Sequence, residues 1–228
     1  MQPLILHIDT ATEFASICLT KGDTLLGMRS CQDQKQHGSF VQPSIQELMQ
    51  ETGFELSQLD AISVAEGPGS YTGLRVAMAS AKGLCYALDK PLITVNTLKI
   101  MAQAALEQEA PAFPNAIYCP LIDARRMEVF TALYTPELEP ILEPEARIID
   151  QDSFRDLLDK QVIIFTGSGA AKLQAILDHP NAVFSSVKHS AKQLATLANR
   201  TFADQIFANL AYCEPFYLKA FYSVPAKK

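Results

Sequence analysis

The amino-acid sequence predicts an α/β protein built from two copies of one unit. In each half, apolar strands precede a strand that leads into a glycine-rich loop and a helix. An Ile-Asp pair at the end of an apolar strand, Ile8-Asp9, also recurs as Ile122-Asp123, half the chain length later. Self-similarity at such a spacing is typical of a duplicated unit. A chance match of one dipeptide is the alternative explanation.

The first half of the chain opens with three apolar segments, whose short connections predict antiparallel strands. Val41, Ile45, Leu48 and Met49 then recur at helical spacing, and Gly53 is a suitable helix end. The predicted strands are residues 4–8, 15–20, 24–28, 61–65 and 92–95, and the predicted helices are residues 41–49, 74–88 and 97–109.

The second half begins at Pro111 and Pro114, which mark a domain boundary. We therefore expect an N-terminal lobe of residues 1–110 and a C-terminal lobe of residues 111–228, with the aromatic tail packing back on the first lobe. The predicted strands are residues 117–122, 128–134, one within 136–149, and 162–165. The predicted helices are residues 153–158, capped by Asp152 or Ser153, 170–177 and 191–207.

Composition and charge exclude several classes of protein. Of the 228 residues, 48% are apolar and 19% are charged, which excludes disorder. The net charge of −6 argues against tight nucleic-acid binding by this chain alone. Five scattered cysteines without a CxxC motif argue against a disulfide scaffold or zinc ribbon and suit a reducing compartment. Without a signal peptide or a long apolar run, we expect a cytoplasmic protein that does not contact the membrane.

Two glycine-rich loops, residues 67–73 and 167–169, each join a predicted strand to a predicted helix. Backbone N–H groups at a helix start can hold an anion in such a loop. Neither loop has the spacing of a P-loop or of a dinucleotide fingerprint. For the first loop, an anion site and a tight packing turn both remain open, since Pro68 removes one donor.

Asp9 and Asp123 each end an apolar strand, where a carboxylate can hold a metal–phosphate group or act as a base. The alternative is that each side chain caps a turn. No histidine spacing typical of zinc sites, no GxSxG elbow and no activated cysteine is evident in the sequence. We therefore predict no metal site and no catalytic residue.

The predicted helix 74–88 has an unusual composition, because its only charged residues are Arg75 and Lys82. An ordinary surface helix has a charged outer face. This helix is therefore either sandwiched inside its own domain or forms a helix–helix interface with another protein, and we favour the interface. Its less apolar face holds Val76, Ala79, Ser80, Gly83, Tyr86 and Ala87.

Four segments stand out together: residues 8–12 (IDTAT), 67–75 (GPGSYTGLR), 123–130 (DARRMEVF) and 215–218 (PFYL). They resemble the TsaB (YeaZ) family of bacterial tRNA threonylcarbamoyladenosine biosynthesis. The second segment is highly specific, and the others follow in the family's order over essentially the whole chain. The resemblance implies a duplicated two-lobe fold of the actin–Hsp70–sugar kinase (ASKHA) type.

The resemblance also implies a non-catalytic scaffold that binds two proteins: TsaD, which transfers a threonylcarbamoyl group to N6 of the adenosine 3′ of the anticodon, and the small ATPase TsaE. A homodimer is expected without the partner, and tRNA is expected to be engaged only indirectly, through the complex. No cofactor is expected to bind tightly, because the assembled complex uses ATP and Mg²⁺. Thr97 and Met101 stand where TsaD has two metal-binding histidines, which they cannot replace.

The same resemblance suggests which residues act. Asp9, Gly167 and Gly169 would be remnants of a nucleotide cleft. The partner interface would lie on helices 41–51 and 74–88 and comprise Val41, Ile45, Leu48, Arg75, Val76, Ala79, Lys82, Gly83 and Tyr86. One alternative is a stand-alone small-molecule kinase of this fold, using Asp9 and Asp123 with Mg²⁺–ATP. Another is a protease, for which no nucleophile–base pair is evident.

Overall fold

The computed structural model of the chain describes residues 2–33 and 36–219. Its first half alternates strands and helices, with a 3₁₀ turn, Leu56–Gln58, before the fourth strand. In chain order the elements are β1 (Leu4–Asp9), β2 (Ala15–Lys21), β3 (Thr24–Cys31), α1 (His37–Thr52), β4 (Ala61–Gly67), α2 (Tyr71–Leu88), β5 (Leu92–Asn96) and α3 (Thr97–Glu109).

The second half repeats this order of elements with shorter helices. Its elements are β6 (Ile117–Asp123), β7 (Glu128–Tyr134), β8 (Pro140–Ile148), α4 (Arg155–Leu158), β9 (Ile163–Thr166), α5 (Ala170–Gln174), β10 (Ala182–Ser185) and α6 (Ala191–Ala203). None of the helices in the two described ranges is long and apolar enough to cross a membrane.

The strands form two sheets of identical topology. The first sheet has the order β3-β2-β1-β4-β5, and the second has the order β8-β7-β6-β9-β10. In each sheet the first three strands in chain order pair antiparallel. The fourth strand pairs parallel with the first, and the fifth pairs parallel with the fourth. The two halves therefore match strand by strand, and the predicted duplicated α/β fold is confirmed.

The third helix of each half lies between the two sheets. Helix α3 packs against β6 and β9 of the second sheet, whereas α6 packs against β1, β2 and β5 of the first. Side chains from both sheets and both helices, such as Ile5, Leu98, Tyr118 and Leu194, form one continuous apolar core. Each lobe thus completes its core with a helix from the other half of the chain.

Helices α1 and α2 cover the opposite face of the first sheet. Their inward side chains, including Leu48, Ala77 and Met78, pack with Leu6 and Ile17 of the sheet in a second core. This leaves one long side of α2 directed away from the sheet.

After α6 the chain returns to the first lobe. The amide of Ala208 donates to the carbonyl of Leu92 (2.8 Å), and the amide of Phe216 donates to the carbonyl of Glu66 (2.7 Å). Residues 208–216 are thereby tied to the ends of β5 and β4. Residues 220–228 of the predicted C-terminal lobe lie outside the described residues.

Several element boundaries in the second half differ from the prediction. The last helix ends at Ala203 rather than residue 207, and Gln205 just beyond it has a left-handed φ of 56°. Neither Asp152 nor Ser153 caps α4, because the Ser153 hydroxyl donates to Asp150 (2.9 Å) and Phe154 occupies the cap position. Strand β10 was not predicted, since its four residues are mostly half-buried and lack a clear alternation.

His7 is a structural residue of the first sheet. It is fully buried on β1, and its ring nitrogens bond the hydroxyls of Ser63 (2.7 Å) and Thr20 (2.9 Å). Burial disfavours the charged imidazolium and lowers the pKa of His7 from 6.5 to about 3. Between pH 3 and pH 6.5, the imidazole of His7 is therefore protonated more readily in the unfolded chain than in the folded chain.

We predict that acidification destabilises the protein through His7. The neutral His7 ring stabilises the folded chain fully above pH 6.5, and this stabilisation is lost as the pH falls towards 3. Lowering the pH from 7.5 to 5 should therefore reduce the free energy of unfolding by about 2 kcal/mol through this residue. Urea unfolding at both pH values measures the loss. The matched variant His7→Gln should lack that part of the loss, and an equal pH dependence in both proteins would contradict the assignment.

Candidate functional site

The long outward side of α2 is the most distinctive surface in the described structure. We define the α2 outer face as Val76, Ala79, Ser80, Gly83, Tyr86 and Ala87. None of these residues is charged, and Tyr86 is 84% exposed. The opposite side of the helix is buried in the core through Leu74, Ala77 and Cys85. Helix α2 is therefore apolar on both sides, although only one side is covered by its own lobe.

Helix α1 flanks the α2 outer face but contributes polar groups to it. The amide of Gln42 donates to the Ser80 hydroxyl (3.0 Å), which joins the two helices. Gln42, Gln46 and Gln50 are exposed. A groove of about 640 Å³ runs along α1, and residues of α1 and of the segment 54–56 line it together with Leu84 of α2.

The predicted orientation of α1 needs correction. Val41, Ile45 and Leu48 were expected at a partner interface, but all three are buried in the core beneath α1. Helix α1 packs on β2 and β3, and its single apolar face is used to cover that part of the sheet. Helical periodicity identifies an apolar face, but it does not say whether the chain's own sheet or another protein covers it.

The two charged residues of α2, which are predicted at the partner interface, contact the chain's own C-terminal segment. The guanidinium of Arg75 lies 4.0 Å over the Tyr71 ring and donates to the Tyr217 hydroxyl (3.1 Å). The Lys82 ammonium donates to the carbonyl of Cys213 (2.9 Å). Both cations thus bind the chain's own C-terminal segment, which lies beside the α2 outer face.

The first glycine-rich loop is a packing turn. The Ser70 amide donates to the Ala11 carbonyl (2.6 Å), and the Thr10 hydroxyl donates to the Gly73 carbonyl (2.7 Å). A Cβ at Gly69 would overlap the Ala11 carbonyl, and one at Gly73 would overlap the Thr10 carbonyl. The segment after β1 therefore occupies the space in front of the loop that an anion would need. Of the two interpretations of this loop, the structure favours packing.

The second glycine-rich loop borders a cavity between the lobes. Gly167 has a φ of 98°, and a Cβ there would overlap the Met101 side chain and the Leu121 carbonyl. Gly169 is similarly close to Leu121 and Val129. The cavity has a volume of about 270 Å³, and its lining includes the loop together with Thr12, Met101, Lys188 and His189.

Asp9 lies near this cavity but is not open to it. The side chain is fully buried, and its Oδ1 accepts a hydrogen bond from the Ala11 amide (3.1 Å). Its Oδ2 lies 3.4 Å from Nε2 of buried His189, and neither atom has a hydrogen-bond partner in the described chain. Asp9 therefore combines a turn-capping role with a buried contact across the lobes.

Asp123, the counterpart of Asp9, caps the turn after β6. Its Oδ1 accepts hydrogen bonds from the Arg125 amide and the Lys172 ammonium, both at 2.6 Å. The hydrogen bond from Lys172 holds the pKa of Asp123 below its usual value. Each strand-end aspartate thus caps its own turn, and each has a different second contact, His189 for Asp9 and Lys172 for Asp123.

Comparisons with known proteins place this geometry in a family. A family model described as "TsaD: tRNA N6-adenosine threonylcarbamoyltransferase" matches residues 31–221. The tRNA threonylcarbamoyladenosine biosynthesis protein TsaB of Escherichia coli is 29% identical over 98% of this chain and 99% of its own length. TsaB of Bacillus subtilis is 30% identical over 72% of this chain and 70% of its own length. The chain belongs to the TsaB family, within the family that the TsaD model describes.

Solved structures agree with this assignment. YeaZ from Pseudomonas aeruginosa superposes with a TM-score of 0.82 at 26% identity, covering 95% of this chain and all of that one. A polyphosphate/ATP-glucomannokinase from Arthrobacter has a TM-score of 0.50 at 13% identity, which shows a shared fold alone. The expected two-lobe sugar-kinase-like fold of the TsaB family is thus confirmed.

The TsaB fold of this chain places Thr97 and Met101 in the interior. Thr97 is buried at the start of α3, and its hydroxyl has no partner among the described residues. Met101 is buried one turn later and lines the cavity. A hydroxyl and a thioether cannot replace a pair of imidazole ligands at a metal site. Within the described ranges, no group of three or more His, Cys, Asp or Glu side chains is placed to hold a metal ion.

We predict opposite effects of alanine at two glycines. Gly69→Ala should lower the unfolding free energy by about 2 kcal/mol or more, because the new Cβ overlaps the backbone of Ala11. Gly83→Ala should raise it by about 0.5–1 kcal/mol, since nothing lies within 4 Å and alanine favours the helix. Urea unfolding tests both, and a Gly69→Ala protein as stable as the wild type would refute the packing turn.

Proposed function

We propose that this chain is a non-catalytic scaffold subunit in tRNA threonylcarbamoyladenosine biosynthesis. It would bind the catalytic subunit TsaD and the ATPase TsaE and have no catalytic residues of its own. The single observation that supports this role best is the α2 outer face, an uncharged helical surface with a nearly fully exposed tyrosine. Small side chains allow another helix to approach closely, and an exposed aromatic is a typical interface anchor.

The proposed interface has a revised set of residues. Val76, Ala79, Gly83 and Tyr86 remain as its centre. The polar residues of α1, headed by Gln42, would form part of its rim, which agrees with the polar rim of ordinary interfaces. In the absence of TsaD, the same face would join two copies of this chain in a homodimer.

The cleft between the lobes supports a non-catalytic role. The kinase alternative would use both Asp9 and Asp123 for a metal–phosphate group, but Asp9 is fully buried beside His189 and exposed Asp123 is paired with Lys172. On one side the second glycine-rich loop is packed against α3 and β6, since a Cβ at Gly167 would overlap the Met101 side chain and the Leu121 carbonyl. We therefore propose that ATP and Mg²⁺ act in the assembled complex and that no cofactor binds tightly to this chain.

The proposed mechanism is differential binding. If this chain binds the active arrangement of TsaD more tightly than other arrangements, association shifts the partner towards that arrangement without chemistry by the scaffold. Such a shift is limited by the difference between the two affinities. This role would place the chain in the cytoplasm together with tRNA, the substrate of the complex.

We predict that threonylcarbamoyl transfer to tRNA depends on this chain. A reconstituted reaction with TsaD, TsaE, ATP, Mg²⁺ and the threonylcarbamoyl donor should lose most of its rate when this chain is omitted, because TsaD would then seldom adopt its active arrangement. Nucleoside analysis of the tRNA measures the product. An undiminished rate without the chain would refute the scaffold role.

We also predict that a charge on the α2 outer face prevents association. Ala79→Arg and Gly83→Arg should each weaken binding to TsaD about 30-fold or more, because burying an unpaired guanidinium costs about 2 kcal/mol or more. Both positions are exposed, so circular dichroism should show an unchanged fold. The matched control Ala112→Arg adds the same charge at an exposed position after α3 and should bind normally. Wild-type affinity in both α2 variants would count against this interface.

A further inference from the structure

The turn between β6 and β7 has an unusual backbone for its sequence. Arg125 has a φ of 72° and Arg126 has a φ of 50°, so both residues lie in the left-handed region. Consecutive residues with this conformation are usually glycine or asparagine, because a longer side chain crowds the backbone. Strained positions of this kind are retained where the side chain itself has a use.

The surrounding structure holds this turn in place. The Arg125 amide donates to Asp123 Oδ1 (2.6 Å), and the Glu128 amide donates to the Arg125 carbonyl (3.1 Å). At the far end, the Ile149 amide donates to the Met127 carbonyl (2.8 Å). None of these bonds uses an arginine side chain, so the conformation would form with other residues at both positions.

The charges around the turn leave the two guanidinium groups unbalanced. Asp123 forms an ion pair with Lys172 (2.6 Å), and Glu128 forms one with Lys219. The two nearby acidic groups are therefore already neutralised by lysines. Arg125 and Arg126 are exposed, and neither guanidinium has an ion pair or side-chain hydrogen bond among residues 2–33 and 36–219. Two free positive charges thus stand together on a protein of net charge −6.

The turn lies at the side of the interlobe cleft. The Asp123 amide donates to the Ser168 hydroxyl (3.1 Å), and Ser168 belongs to the loop that lines the cavity. Lys188 lines the same cavity. Several cations, Arg125, Arg126, Lys172 and Lys188, therefore lie near the side of the cleft where β6 ends.

We propose that the β6–β7 turn, residues 124–127, contacts the phosphate backbone of tRNA in the assembled complex through Arg125 and Arg126. Adjacent, unpaired guanidinium groups form forked hydrogen bonds with phosphate oxygens, and the hydrogen-bonded turn presents the two arginines without further ordering of the backbone. The inference rests on the proposed function, which makes tRNA the substrate of the complex, and it replaces the indirect engagement implied by the family resemblance with a direct contact. On this acidic chain two arginines would not suffice for binding alone, so the contact forms once the complex holds the tRNA.

The test compares complexes containing wild-type chain or the double variant Arg125→Gly with Arg126→Gly. Glycine relieves the left-handed strain, so the melting temperature of the variant should not fall. The dissociation constant of the complex for tRNA, from fluorescence anisotropy, should rise roughly tenfold, and the slope of log K against log salt should become shallower by about 1–2. Association with TsaD, from gel filtration, should be unchanged.

Three further variants make the result specific. Arg125→Gln with Arg126→Gln keeps long side chains and should weaken tRNA binding in the same way. Arg125→Lys with Arg126→Lys keeps the charges and should retain most of the salt dependence. Arg200→Gln removes an exposed charge from α6, where the arginine also has no ion pair in the described chain, and should bind tRNA normally.

The outcomes separate this inference from the proposed function. An assembled, active complex with unchanged tRNA affinity and salt slope in the glycine and glutamine variants would overturn the contact and leave the scaffold role intact. The variants could instead lose association with TsaD while the remaining complex binds tRNA normally. That result would also overturn the tRNA contact and would assign the turn to a protein interface. If the reconstituted transfer reaction runs at an undiminished rate without the wild-type chain, the proposed function itself is refuted.

Discussion

The packing of α3 and α6 between the two sheets is the contact on which the rest of this structure depends. Each sheet has an outer face covered by helices of its own half, α1 and α2 or α4 and α5. The inner face of each sheet is covered by α3 and α6, one helix from each half. The shared core around Leu98, Tyr118 and Leu194 fixes the two lobes together. Beside this core, a cavity of about 270 Å³ remains between the lobes.

Duplication preserved the sheets more closely than the helices. Helix α2 has 18 residues, whereas its counterpart α5 has five, and α1 has 16 residues where α4 has four. Long helices with an uncovered side therefore occur only on the first lobe, within the residues that the structure describes. The second lobe has instead a charged turn at its cleft side. The first lobe thus presents an uncharged helical surface, whereas the second lobe presents a positively charged turn.

Local patterns predicted much of this architecture, because strands and helices follow hydrophobic periodicity. Helix α3 was predicted over the same residues, and the Ile-Asp repeat identified β1 and β6 as equivalent strands. The site was less predictable, because contacts between distant residues decide it. The roles of Arg75 and Lys82 depend on Tyr217 and Cys213, more than 130 positions away. Likewise, the spacing of Val41, Ile45 and Leu48 could not reveal that β2 and β3 cover them.

The C-terminal segment has a consequence for how the uncharged surface of α2 is maintained. The Tyr217 hydroxyl and the Cys213 carbonyl accept hydrogen bonds from Arg75 and Lys82, so residues 213–217 fix where the two cations of this helix lie. Without these two bonds, both long side chains would sample other positions, including ones over the neighbouring uncharged surface of the helix. The C-terminal segment therefore holds the two charges of α2 at the border of that surface.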